Sequence, residues 1–153
     1  MKILLAVDGS ECSEAAIDAV IHQFVPDGTD IQVLHADDWP NGLPTALTFA
    51  EGPAAADDIL RRHDTRRQEA AALVGHAATR LRTAGFSATT SVRQGDPQHA
   101  ILACAEDWHP DLIVLGSHGR RGFDRLFLGS VSEGVARRAA CSVEIVRGPA
   151  RDA

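Results

Sequence analysis

Apolar residues recur with two different rhythms along this chain, and the switches between them predict its elements. Ile3 to Val7 is an unbroken apolar run, as in a strand buried on both faces. It stops at Asp8-Gly9-Ser10, where Ser10 or Ser13 can cap a helix whose first turn carries Glu11 and Glu14. Ile17, Val20, Ile21 and Phe24 then recur at helical spacing, and Pro26-Asp27-Gly28 closes the segment. Ile31 to Ala36 predicts a second strand, anchored by Ile31, Val33 and Leu34.

Between Asp37 and Ala54 neither rhythm holds. Trp39-Pro40-Asn41-Gly42-Leu43-Pro44 and Glu51-Gly52-Pro53 are turn chemistry, and so long a connection suits a lid or a plain mobile loop equally. A long helix is expected over about 55–84, with Ile59, Leu73, Val74, Ala77 and Leu81 on one side and Gly85 as its C-cap. Its arginines, Arg61, Arg62, Arg66, Arg67, Arg80 and Arg82, read as a solvated face. Phe86 to Arg93 is a polar third strand, suited to a sheet edge. Asp96-Pro97 is a cap followed by a first-turn proline, opening a helix with Ile101, Cys104, Ala105 and Trp108 on its apolar face. After Pro110 come a short buried strand, Leu112 to Leu115, a helix from Val131 to Ala140, and a fifth strand, Ser142 to Val146.

This alternation predicts an α/β chain: a single doubly wound, Rossmann-like domain over 1–153, with a five-stranded parallel sheet and helices on both faces. Ligands of such sheets bind beyond the carboxyl ends of the strands, where the strand order reverses. If the first and fourth strands meet there, in the order 3-2-1-4-5, Asp8 and the loop at Gly116 face one crevice.

That loop carries the candidate chemistry. Gly116-Ser117-His118-Gly119 follows the fourth strand, and Gly129-Ser130-Val131-Ser132 opens the last helix. Strand, glycine-punctuated loop and helix start put unpaired N–H groups and a positive dipole end at one place, a ready site for phosphate. The glycines are expected because they accept positive φ or let a ligand touch the backbone. Ser130 and Ser132 add hydroxyl donors. Other nucleotide motifs fail. No G-x-x-x-x-G-K-[ST] occurs, and the turn after the first strand lacks G-x-G-x-x-G. Lys2 is the only lysine, so no P-loop or Schiff-base lysine is available, nor the lysine of a phosphoacceptor domain.

Charge and cysteine content narrow the partners. A net charge of −6 argues against nucleic acid or an anionic membrane as partner. No apolar segment approaches a membrane span, and Met1-Lys2 runs straight into a strand, so no signal peptide is expected. Cys12, Cys104 and Cys141 are widely spaced with no C-x-x-C, as in a reducing cytoplasm. His35 reads as a satisfied core residue, His118 as part of the loop's shape, and Cys12 as a small buried filler.

With these residues assembled, the chain resembles the universal stress protein family over nearly its full length. Ile3-Leu4-Leu5-Ala6-Val7-Asp8-Gly9-Ser10 is similar to the family's first strand and turn, and Val33-Leu34-His35-Ala36 to its second strand. Ile113-Val114-Leu115-Gly116-Ser117-His118-Gly119 is similar to the fourth. Gly116, Gly119, Gly129 and Ser130 satisfy the G-x2-G-x9-G-[ST] spacing that marks the ATP-binding branch. The resemblance implies ATP as ligand, escorted by Mg²⁺ or Mn²⁺. Ala6, Val7 and Ala36 would line the adenine pocket, partly through backbone groups, and Asp8 would sit beside the ribose or a metal-bound phosphate. Leu115 and Gly116 would pack under the nucleotide, with Ser117 and His118 shaping the loop and Gly119 letting it turn. Gly129, Ser130, Val131 and Ser132 would hold the phosphates. One of Arg120, Arg121 and Arg125, Arg120 for preference, would add charge there. Asp8 keeps a second reading as a turn acceptor or helix cap.

The function implied is a regulatory ATP-binding module of the cytoplasm, with slow or no hydrolysis. It would dimerise through the apolar edge strand 142–146. Two alternatives stand beside it: an ATPase or phosphotransferase using Asp8 and a divalent metal, and a nucleotide-free dimeric scaffold.

Overall fold

The computed structural model of the chain describes residues 1–38, 47, 50–119 and 128–148. Five strands, β1 (Lys2–Ala6), β2 (Asp30–Asp37), β3 (Ser87–Gln94), β4 (Leu112–Gly116) and β5 (Ser142–Val146), alternate with helices. These are α1 (Glu11–Gln23), α2 (Pro53–Thr83), α3 (Pro97–Trp108) and α4 (Ser130–Arg138). All four strand pairings are parallel, in the order β3-β2-β1-β4-β5. This is the sheet expected from the sequence, and the element ends fall within two residues of expectation.

Side-chain alternation explains the layers. Ile3, Leu5 and Val7 point from the first strand and its exit into a core shared with Ile17 and Val20 of α1 and Val74, Ala78 and Leu81 of α2. Leu4 points the other way, into a core with Ile113, Ile101 and Cys104 of α3 and Val135 of α4. A strand buried on both faces has no polar position to offer, hence the continuous run. The polar β3 and the half-buried β5 occupy the two edges. Among the described residues no helix is long and apolar enough to cross a membrane. Most of the 37–54 connection lies outside the described residues.

The arginines of α2 depart from the expected solvated face. Arg61 and Arg62 do pair at the surface with Asp57 and Asp58 one turn away. Arg80, however, grips Glu14 and Asp18 of α1 at 2.9 and 2.5 Å, and Arg82 donates to the Ala88 carbonyl. Arg66 reaches the end of β2. Helical spacing places a residue on a face but does not show how far a long side chain travels from it.

Candidate functional site

A cleft of about 520 Å³ opens at the carboxyl ends of the strands, where the order reverses between β1 and β4. This is the size of a small-molecule site. Ala6, Val7, Asp8, Ala36, Leu115, Gly116, Ser117, His118, Gly119, Gly129, Ser130, Val131 and Ser132 all line it. Arg120, Arg121 and Arg125 lie outside the described residues. The structure therefore brings together every described residue that the sequence nominated.

The halves of the cleft differ in chemistry. Toward β2 and α3 Leu34, Ala36, Pro97 and Ile101 supply apolar surface, interleaved with His35, Asp38, Arg66 and Asp96. Toward β4 and α4 they are mostly backbone. Here the helix starts matter. Ser10 caps α1 by accepting the Ser13 N–H at 3.2 Å, and Asp96 caps α3 by accepting the His99 N–H at 3.0 Å. Gly129 begins α4 with no side-chain cap. The first intrahelical bond of α4 is Glu133 N–H to Gly129 O at 2.9 Å, so the N–H groups of Ser130, Val131 and Ser132 precede it and have no intrahelical acceptor. Those donors and the helix dipole open into the cleft.

Several other donors nominated from the sequence are already used. Ser132 is buried, and its hydroxyl lies 3.0 Å from Ser117 O and 2.9 Å from Gly129 O, so it ties α4 to the loop rather than facing a ligand. Gly129 N–H donates to Ser117 O at 2.8 Å, and Ser117 N–H to Val146 O at 2.7 Å. Val7 N–H goes to Leu34 O at 2.8 Å, while His35 Nδ1 lies 2.8 Å from Val7 O, which leaves Val7 an apolar wall. His35 is thus the satisfied residue its position suggested. Asp8 serves the turn: its Oδ1 accepts the Ser10 N–H at 3.0 Å, and its own N–H meets Ser13 Oγ at 3.2 Å.

The motif glycines prove necessary for a different reason from the one expected. None of Gly116, Gly119 and Gly129 has positive φ; a side chain at Gly116 would clash with backbone, and at Gly119 and Gly129 it would crowd a neighbouring oxygen. A Cβ on Gly116 would stand 2.7 Å from the Cβ of Cys12 and 2.8 Å from its carbonyl carbon. On Gly119 it would meet Asp8 Oδ2 at 2.8 Å, and on Gly129 it would meet Ser117 O at 3.0 Å. The Gly129 Cα hydrogen that a side chain would replace therefore faces Ser117 O. Cys12 packs under the end of β4, half-buried as a filler should be.

Residues the sequence reading did not nominate also line the cleft. Asp96 and Pro97 were legible as a helix start but not as cleft residues. Placing them there requires knowing that the β3–α3 crossover passes over the same end of the sheet. Asp38 carried no signal, and Arg66 only its helical spacing from Ile59 and Leu73, which puts it on the inner side of α2.

The first 147 residues match the model of the universal stress protein family. The chain belongs to that family. A universal stress protein of Bacillus subtilis, YxiE, is 32% identical over 147 residues, 95% of this chain and 98% of its own. The solved structure of MJ0577, from Methanocaldococcus jannaschii, has a TM-score of 0.81 at 25% identity, covering 98% of this chain and 97% of that one. A family protein of Arabidopsis thaliana, At3g01520, was solved with AMP bound; it gives a TM-score of 0.66 at 18% identity, covering 98% of this chain and 93% of that one. At that identity the likeness extends to the fold. In this universal stress protein the cleft sits where doubly wound sheets hold their ligands.

Proposed function

We propose that this universal stress protein is a regulatory module that binds an adenine nucleotide, ATP with its Mg²⁺ or Mn²⁺, in the cleft between β1 and β4. One observation carries the reading: the uncapped start of α4 borders a cleft whose opposite half offers the apolar surfaces of Leu34, Ala36, Pro97 and Ile101. Polyphosphate suits the amides of Ser130, Val131 and Ser132, and a purine suits Leu34, Ala36, Pro97 and Ile101. The AMP in the plant relative supports the same ligand class. A divalent cation would arrive on the phosphates, with Asp8 in the same cleft to face it.

Hydrolysis is slow or absent. Asp8 is held by the turn it forms, a poor posture for a general base. The module acts as a homodimer through β5, whose Val143, Ile145 and Val146 are half-buried and whose outer edge pairs with no strand among the described residues. Its three free thiols suit the cytoplasm.

Calorimetric titration with MgATP, together with mass identification of any small molecule released on denaturing fresh protein, tests the reading. Saturable ATP binding supports it, as does a released adenine nucleotide. No saturable binding of ATP or AMP overturns it. Turnover of labelled ATP that disappears in Asp8→Ala would instead make the protein an enzyme.

A further inference from the structure

One charged wall of the cleft comes from the wrong side of the sheet. α2 packs on the layer with α1, opposite α3 and α4, yet Arg66 of α2 lines the cleft beside His35, Ala36 and Asp38. Among the described lining residues it is the only arginine or lysine. Its Nε and Nη2 both donate to Asp37 Oδ1, at 3.1 and 2.6 Å, and Nη2 also reaches Asp38 O at 3.3 Å. Asp37 is only 4% exposed, whereas the Arg66 side chain is 40% exposed. A buried carboxylate thus anchors a guanidinium that stays accessible. Two donors to one oxygen and a third contact to the adjoining carbonyl fix its plane.

Position decides what that plane can touch. β1 lies between β2 and β4, so the tips of β2 and β4 are two strand spacings apart, roughly 10 Å. Arg66 therefore stands at the end of the cleft remote from the α4 amides, among Leu34, Ala36, Pro97 and Ile101. Apolar side chains beside one planar cation, with Asp38 and Asp96 in the same lining, suit an aromatic ring, which a guanidinium recognises through its face or through donors to ring nitrogens. We infer that Arg66, locked on Asp37, is a specificity-determining contact for the purine ring of the bound nucleotide and not a phosphate ligand. The inference rests on the nucleotide reading above. It adds a role for α2, an element outside the glycine motif.

The test compares Arg66→Lys with the unmodified protein for adenosine, AMP and ATP by calorimetric titration. Lysine keeps the charge that balances buried Asp37 but loses the planar fork. The substitution should weaken all three ligands by a common factor, roughly tenfold, with little dependence on salt. Asp37→Asn, which loosens the anchor while keeping the arginine, should produce a smaller loss of the same pattern. Melting curves of both variants check that the fold persists. Unchanged affinity in Arg66→Lys overturns the inference, as does a loss that grows from adenosine to ATP, the signature of a phosphate contact. Absence of binding by the unmodified protein overturns the nucleotide reading first, and this inference with it.

Discussion

Replacing Gly116 by alanine tests whether the motif glycines serve packing. The added Cβ would lie 2.7 Å from Cys12 Cβ, 2.8 Å from its carbonyl carbon and 3.0 Å from its carbonyl oxygen. Carbon atoms in contact prefer about 3.5–4.0 Å, so the shortfall is about 1 Å. Two of the three atoms belong to the backbone at the first turn of α1, so no rotamer relieves the clash. Either α1 retreats, disturbing buried Ala16, Ile17 and Val20, or the end of β4 bends away. Overpacking of this kind costs about 1–3 kcal/mol, and a backbone clash belongs in the upper half of that range. For a chain of this length each kcal/mol lowers Tm by about 2–4 °C, so Gly116→Ala should melt roughly 4–12 °C lower. Thermal unfolding followed by circular dichroism reads the shift. An unchanged Tm in Gly116→Ala would refute the packing argument.

Other substitutions separate fold from ligand in the same loop. Ser132→Ala removes one hydroxyl donor, but Ser117 O keeps the Gly129 N–H and Gly129 O keeps the Glu133 N–H, so no carbonyl is stranded. Chemical denaturation should show a loss of only about 0.5–1.5 kcal/mol. Gly129→Val should lower Tm and not merely ligand affinity, because its side chain would press on Ser117 O; a normal melting curve would contradict this. Burial pushes the Cys104 thiol above its ordinary value of 9.0, with Arg93 partly opposing the shift. The folded state therefore keeps a proton that the unfolded chain releases, so stability should fall as pH rises past about 9. Cys104→Ala should flatten that decline in denaturation curves measured from pH 8 to 10, and an identical slope would count against burial as its cause.

Local patterning carried the fold because each element announces itself over a few residues. Unbroken runs at Ile3–Val7 and Leu112–Leu115 mark strands covered on both faces, and Asp96-Pro97 marks a helix start. The cleft was legible to the extent that it is made of strand ends and of the loop after the fourth strand, which the switch point brings together. What was not legible depends on geometry across the sheet. Arg66 lies seven residues from both Ile59 and Leu73, on the apolar side of α2, whereas Arg61 lies about 140° round the helix; the local pattern separates the two but does not show what Arg66 reaches. The packing of that side of α2 against the end of β2 puts Arg66 on buried Asp37, while Arg61 pairs with Asp57 at the surface. Likewise, sequence identifies Ser132 as a donor near the α4 start but not the direction of its hydroxyl. For Gly116 the sequence suggested positive φ or ligand contact and not packing, because a close approach between β4 and α1 is invisible in either segment alone.

In the nucleotide-binding reading, main-chain amides at the start of α4 receive the phosphates. Amide chemical shifts of isotope-labelled protein titrated with MgATP test it most directly. The account predicts the largest changes at Ser130, Val131 and Ser132, with Gly119 and Ala36 following. Changes confined to residues away from the cleft, or none at saturating ATP, would contradict it.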